Sequence, residues 1–414
     1  MIAVSITGAL YVFRPQIEPA LQPDLYFVDE IGDSRASFND VEGRILASYP
    51  GWELESFNIN KDPERNGVVR LHKIKGDEAE EDEYRWLFFN PFSGEIVGEQ
   101  TFSGFFQVVL NIHRTLLVGL PGRILVELAT CWAIVSVWTG LFLWWRQRNG
   151  IKGFLIPRIK GPWPTILRDW HTVPGAYLSL VVLAIMGTGL LFSKVWGTAW
   201  LAGNAFTGGL PDFYLNPPKS AIVAGEDPGP RISPEEAYLL ANAAYDFRGK
   251  THTLVIPHHS EDDTYQVITD ITKPLEGIGV VHLDAFSGEP LLVETGEDMP
   301  LRTHFTLLFY PVHTGIIGGL ATQIIAFIAC LFIVLMSITG VMMWWRRRPR
   351  GKFGAPVKQG DEEAPVWAVF VTILFGVLMP TVGITLVLLA LGSFIAGKLR
   401  PKAQETVQAI PKGL

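Results

Sequence analysis

The chain has 414 residues, 48% of them hydrophobic and 18% charged, with 34 Lys plus Arg against 41 Asp plus Glu for a formal net charge of -7. That is too apolar for a wholly soluble protein and too charged for one lying entirely in lipid. Two cysteines exclude a disulfide framework or a cysteine-based zinc site, since Cys131 and Cys330 both fall in apolar stretches where packing is their default role, and the negative charge argues against nucleic acid as a partner.

In chain order, residues 1–13 are apolar but short of the about 20 residues that a crossing needs, so they read as a truncated first transmembrane helix. Residues 14–106 form a first acidic module, with 9 Lys plus Arg against 19 Asp plus Glu over 14–112. Its run 77–83 reads as a solvated loop. A second transmembrane helix at 107–146 leads into a basic connection at 147–170, and a third at 171–196 into a second acidic module at 197–303, with 7 Lys plus Arg against 16 Asp plus Glu over 194–303. A fourth helix at 304–346 is followed by a basic connection at 347–365, a C-terminal apolar segment at 366–397 and a tail at 398–414. The positive-inside rule assigns both basic connections to the cytoplasm and both acidic modules to the opposite side. Pro380 in the middle of the last segment implies one kinked or tilted crossing, which leaves Lys398, Arg400 and Lys402 outside, against the charge rule. The fold class expected is therefore a multi-pass α-helical membrane protein carrying two α+β modules.

Laid over itself, the chain is a tandem repeat. At an offset of 200, His113 meets His313, Gly119 meets Gly319, Thr139-Gly140 meets Thr339-Gly340 and Trp144-Trp145-Arg146 meets Trp344-Trp345-Arg346. Phe92-Ser93-Gly94-Glu95 matches Phe286-Ser287-Gly288-Glu289 at 194, and Thr7-Gly8 matches Thr188-Gly189 at 181. Each module reads as one helix followed by a three-stranded meander. The first has a helix near 38–48 and strands near 53–58, 68–75 and 84–89. The second has a helix opened by the capping box Ser233 to Glu236 and strands at 251–257, 264–270 and 277–284. A Ser-Gly-Glu turn closes each.

Of nine histidines, His72, His252, His258, His259 and His282 lie in the modules and read as solvated or satisfied. His113, His171 and His313 sit at the starts of membrane helices, and two of them are repeat equivalents. Equivalent positions in a pseudo-symmetric bundle approach its axis, and paired imidazoles from facing helices are what bis-histidine haem ligation requires. Zinc or copper would want further ligands. The competing reading is an interfacial imidazole with no ligand. His304, nine residues before His313, faces the other way on a continuous helix and is the weaker candidate. Arg114 is either a partner for a haem propionate or an ordinary interfacial arginine. Arg123 and Glu127, one turn apart, read as a structural ion pair, and the Trp-Trp pairs as interface anchors.

The stretches SITGALYVF at 5–13, NIHRTLLVGLPG at 111–122, TGLFLWWR at 139–146, RDWHTVPG at 168–175, YPVHTGIIGG at 310–319 and TGVMMWWRRR at 339–348 resemble the PepSY-associated transmembrane proteins. This is a bacterial iron-regulated inner-membrane family that includes ferric-siderophore reductases, and the FSGE turns resemble those closing PepSY modules. The resemblance implies haem b between the membrane helices, two PepSY-like modules in the periplasm, and electrons passed outward to a ferric siderophore. The outer haem would be held by His113 and His313 and an inner one by His171, giving two per complete chain. No glycine-rich turn follows a strand on the inner side, so flavin or nicotinamide would act through a separate cytoplasmic or membrane electron donor.

Family members carry a further histidine near the inner end of the first helix. The repeat spacing would put it about ten positions before Met1, so an upstream in-frame stretch bearing it is expected. One continuous helix from His313 to Trp345 would also set two rim haems roughly 48 Å apart at 1.5 Å per residue, too far for fast direct transfer unless the helices tilt or break, with Gly318-Gly319 and Pro121-Gly122 as candidate sites. The alternatives are a non-redox membrane-anchored regulatory or binding protein, and a siderophore or iron permease. Few buried polar groups are present to line a permease path.

Overall fold

The computed structural model describes residues 1–73, 83–100, 104–146, 151–222, 229–258, 260–349 and 366–399. The expected strand at 68–75 and the loop at 77–83 therefore run partly outside the described residues, as do His259, most of the connection 347–365, and Arg400 and Lys402.

The apolar α1 (Ile2–Tyr11) is followed by α2 (Arg14–Leu21) and α3 (Pro23–Tyr26), each with proline in its first turn. Helix α4 (Phe38–Ser48) starts where Ser37 Oγ accepts from Asn39 N at 3.2 Å. Strands β1 (Glu53–Ile59), β2 (Gly67–Lys73), β3 (Glu83–Phe89) and β4 (Ile96–Gln100) follow. The chain then enters α5 (Phe105–Thr115), α6 (Gly119–Arg146), α7 (Trp163–Gly189), α8 (Val195–Phe206) and α9 (Asp212–Leu215). The second module holds α10 (Pro234–Ala244), opened by Ser233 Oγ accepting from Glu236 N at 3.3 Å, and β5 (His252–Val255), β6 (Tyr265–Thr269), β7 (Gly279–Leu283) and β8 (Pro290–Thr295). Last come α11 (Leu301–Thr314), α12 (Leu320–Arg347), α13 (Val366–Leu378) and α14 (Pro380–Leu399).

Among the described residues each module has four strands where three were expected. The Ser-Gly-Glu turn does not end the meander but reverses it. Asn90 Oδ1 accepts from Phe92 N and Ser93 N, Asp284 Oδ1 accepts from Phe286 N and Ser287 N, and the chain returns as β4 or β8. Nor are the modules separate. The strands run β4-β3-β2-β1-β5-β6-β7-β8 in one antiparallel sheet, joined where Phe57 faces Leu254 and Asn58 faces Thr253. One core, including Phe38, Ile45, Phe57, Leu71, Phe247 and Leu254, lies under both helices. These helices cap each other: Glu235 Oε2 accepts from Phe38 N at 2.7 Å and Asn39 Oδ1 from Glu235 N at 3.2 Å.

Among the described residues three helices are long and apolar enough to cross a membrane: α6, α7 with its 3-10 extension to Phe192, and α12. Their shared core includes Cys131, Ile134, Val182, Ile185, Ala329 and Ile333, while large apolar residues such as Leu143, Leu180 and Ile328 face outward, as lipid contact requires. The expected continuous helices at 107–146 and 304–346 are both broken. Leu116 and Leu117 take φ of 50° and 62° between α5 and α6, and Gly315 and Gly319 take 77° and 66° between α11 and α12. Helix α7 begins at Trp163, so His171 lies within it rather than at its start.

The C-terminal segment is not one crossing. It folds back at Pro380, which cannot continue the ladder of α13, and a Cβ on Gly376 would meet Gly383 Cα at 3.4 Å although seven residues separate them. The tip of this hairpin packs on the bundle, where Trp196 Nε1 donates to the Leu378 carbonyl and Trp132 Nε1 to Thr385 Oγ1. Helix α14 therefore runs back along α13 rather than continuing its line.

Candidate functional site

His113, near the end of α5, and His313, near the end of α11, converge on one cavity at the sheet-facing end of the bundle, with ring centroids 6.0 Å apart and planes inclined by 53°. His113 Nδ1 lies 2.9 Å from the Val4 carbonyl of α1, and His313 Nδ1 2.8 Å from the Ile185 carbonyl of α7. A carbonyl only accepts, so each Nδ1 carries the proton and each Nε2 keeps its lone pair. This is the arrangement that orients a metal-binding imidazole.

Val4 and Ile185 are 181 residues apart, as are the two glycines beneath the rings. A Cβ on Gly8 would stand 3.1 Å from His113 Cε1, and one on Gly189 2.6 Å from His313 Cε1. Glycine is needed at both places because any side chain would push the imidazole aside. The sequence showed Thr7-Gly8 and Thr188-Gly189 as a repeat marker, and their role as imidazole seats was missed.

Two imidazoles sharing one ion through metal–nitrogen bonds of about 2.0 Å would have ring centroids roughly 6 Å apart, which is the separation seen here. Arg114 and Arg123 line the same cavity. Arg123 Nη2 donates to the Phe192 carbonyl at 2.8 Å, and its buried Nε has no partner among the described residues, which leaves a donor for an anionic group. The expected Arg123–Glu127 ion pair does not form. Glu127 instead accepts from Val195 N at 2.8 Å and Trp196 N at 3.0 Å, capping α8. The tertiary partner outcompetes the neighbour one turn away, because the charge meets two unsatisfied backbone donors there.

His171 lines a second cavity, of about 480 Å³, bounded by α6, α7 and α12. Its Nδ1 is 2.7 Å from Thr339 Oγ1, and that hydroxyl spends its one proton on the Leu335 carbonyl at 2.8 Å. The oxygen therefore accepts from His171 Nδ1, and Nε2 again keeps its lone pair. Met1, Met186 and Ile333 line both cavities, so the two spaces adjoin. On α7, Ile185 and His171 are 14 residues apart, or about 21 Å at 1.5 Å each. With His313 on its own short helix, the long separation expected from one continuous helix disappears.

His304 points elsewhere: its Nε2 lies 2.8 Å from the Gly296 carbonyl, tying α11 to the end of β8. Among the described module histidines, His72, His252 and His282 are held by local contacts. Gln266 Nε2 donates to His282 Nε2 at 2.9 Å while His282 Nδ1 meets Thr264 Oγ1 at 2.8 Å, and His252 Nδ1 meets the Lys250 carbonyl. Burial pushes both His252 and His282 down to about 4, which keeps them neutral at pH 7. His72 is buried, stacked on Tyr84 and edge-on to His258. At the other end of the bundle, Trp144 is more than an interface anchor, since it stacks on Phe154 with centroids 4.4 Å apart and donates to its carbonyl. Among the described residues no group of three or more His, Cys, Asp or Glu side chains is placed to hold a metal ion.

The family model described as the PepSY-associated TM region matches residues 1–347. No curated protein matches the chain.

Proposed function

Because the chain belongs to the family of the PepSY-associated TM region, we propose that it is a haem-containing electron-transfer protein of the bacterial inner membrane that reduces ferric siderophore iron on the periplasmic side. The observation that carries this reading is the His113–His313 pair, 6.0 Å apart, each ring held by Nδ1 on the carbonyl of a neighbouring helix. In this reading the modules lie in the periplasm, the basic ends of α6 and α12 face the cytoplasm, and the helices cross the bilayer in several passes.

Haem b, when bound, supplies a one-electron ferric/ferrous couple. The chain's own residues do the rest. His113 and His313 would hold the iron in the upper cavity through Nε2, and His171 would offer its Nε2 in the lower one. Arg114 and Arg123 offer cationic donors to the carboxylates of the macrocycle. The apolar walls supplied by Val126, Leu190 and Ile333 keep water from the metal. Electrons enter from a separate donor on the cytoplasmic side. Reduction releases the iron because hard oxygen ligands hold Fe(II) less firmly than Fe(III).

Protein loaded with haem and chemically reduced tests the assignment. A ferric siderophore should reoxidise it, and the gallium complex, of the same shape but unable to take the electron, should not. Equal rates with both complexes would remove the reductase reading.

A further inference from the structure

A third cavity, of about 580 Å³, lies between the sheet and the helices, within the size range of small-molecule sites. Its floor is the roof of the upper histidine cavity: Tyr11, Val12, Tyr310 and Thr314 line both. Its wall runs against the charge of the modules. Over 14–112 and 194–303 acidic residues outnumber basic ones by 10 and by 9, yet this cleft is lined by Arg14, Lys61, Arg65 and Lys273 against Glu18 and Asp62.

The cations differ in how firmly they are held. Arg14 is committed, with Nε on Glu18 at 2.8 Å and Nη1 on the Tyr11 hydroxyl at 2.6 Å. Lys61 meets Glu276 at 2.8 Å and Lys273 meets Asp270 at 3.7 Å, both at exposed or half-exposed positions, where an ion pair contributes little and exchanges readily. Arg65 stacks over Phe27 at 4.4 Å and has no carboxylate partner among the described residues. Beside it Asn66 is buried, holds the Leu25 and Phe27 carbonyls through Nδ2, and leaves Oδ1 without a partner among the described residues. The cleft thus offers one cation without a carboxylate partner among the described residues and two in exchangeable exposed pairs, one layer of side chains from the paired imidazoles.

We infer that this cleft binds the substrate as an anionic metal chelate, one bearing carboxylate or catecholate groups, with Arg65, Lys61 and Lys273 as its charge contacts. The inference rests on the reductase reading for the identity of the ligand as an iron chelate, but the binding itself does not depend on electron transfer. Charge complementarity here selects among chelates of similar size.

Gallium(III) complexes separate the two claims because they bind without accepting an electron. Full-length protein in nanodiscs would be titrated by tryptophan quenching with an anionic gallium tris-catecholate and with a cationic gallium trihydroxamate of comparable size. The anionic complex should bind at least about tenfold more tightly at low ionic strength, with the gap narrowing as salt shortens the roughly 10 Å Debye length. Arg65→Gln combined with Lys273→Gln should erase most of the difference, whereas Lys219→Gln, which removes a cation paired with Asp262 and lying outside the cleft, should leave it unchanged. A circular dichroism melt matching wild type shows the double variant to be folded, and the reversed-charge Arg65→Glu should invert the preference. Equal affinity for the two complexes, or a preference untouched by the double variant, would overturn the cleft. Tight anionic binding with no reoxidation by the iron complex would leave the cleft standing and remove the reductase.

Discussion

The two histidine cavities share walls from α6, α7 and α12 and differ in how their imidazoles are supplied. The upper one receives an imidazole from each half of the chain, with α1 and α7 giving equivalent carbonyls and equivalent glycines. The lower one receives His171 from α7, held by Thr339 of α12. The difference extends to the supporting threonines. Thr339 Oγ1 reaches both the Leu335 carbonyl and His171, while Thr139 Oγ1 reaches the Val135 and Ser136 carbonyls of its own helix.

The sharpest way to break this comparison is to remove one half of the upper site. His113→Ala and His313→Ala should each abolish the same haem, seen as equal loss in pyridine haemochrome content, while His171→Ala leaves that haem in place. Unequal losses would show that the two imidazoles do not share one iron.

The seats should rank by clearance. Gly189→Ala brings a methyl within 2.6 Å of His313 Cε1 and Gly8→Ala within 3.1 Å of His113 Cε1, so the first should lower upper-site occupancy severalfold and the second less. The reverse order in a haem titration would reject the steric account. In the lower cavity, Thr339→Val removes the acceptor for His171 Nδ1 and should weaken haem binding there by about tenfold, the low end for a lost ligand-orienting bond, with the upper site unchanged.

The smallest effect lies in the sheet. Its buried His252 and His282 bind protons only near pH 4 when folded and near 6.5 when unfolded, so between these values the unfolded chain binds more protons. Their contribution to stability is full above pH 6.5 and is lost as pH falls towards 4. Thermal melts across that window should show a declining midpoint, with a shallower decline in His282→Gln.

The pairing of His113 with His313 was legible because duplication marks equivalent positions whatever their surroundings, and the helices at 38–48 and 234–244 were legible from their caps and periodicity. What was hidden depended on contacts between distant parts. The β1–β5 pairing joins residues about two hundred apart in sequence, and nothing local in Glu53–Ile59 says that its free edge meets His252–Val255. The fourth strands are largely exposed or half exposed, and the residues of Ile96–Gln100, IVGEQ, lack the alternation of apolar and polar types that marks a strand in sequence. Glu127 sits one turn from Arg123, and that local spacing gave no hint of Val195 and Trp196. The hairpin at Pro380 was visible as a proline but not as a reversal, because the Gly376–Gly383 contact exists only once the chain has turned.

The central claim is that the upper cavity holds iron between two imidazoles, and the reduced-minus-oxidised absorbance spectrum of the purified full-length protein tests it most directly. The account predicts a Soret band and sharp reduced bands of a six-coordinate low-spin haem, lost from the upper site in His113→Ala. A colourless protein, or a spectrum unchanged by that substitution, would contradict it.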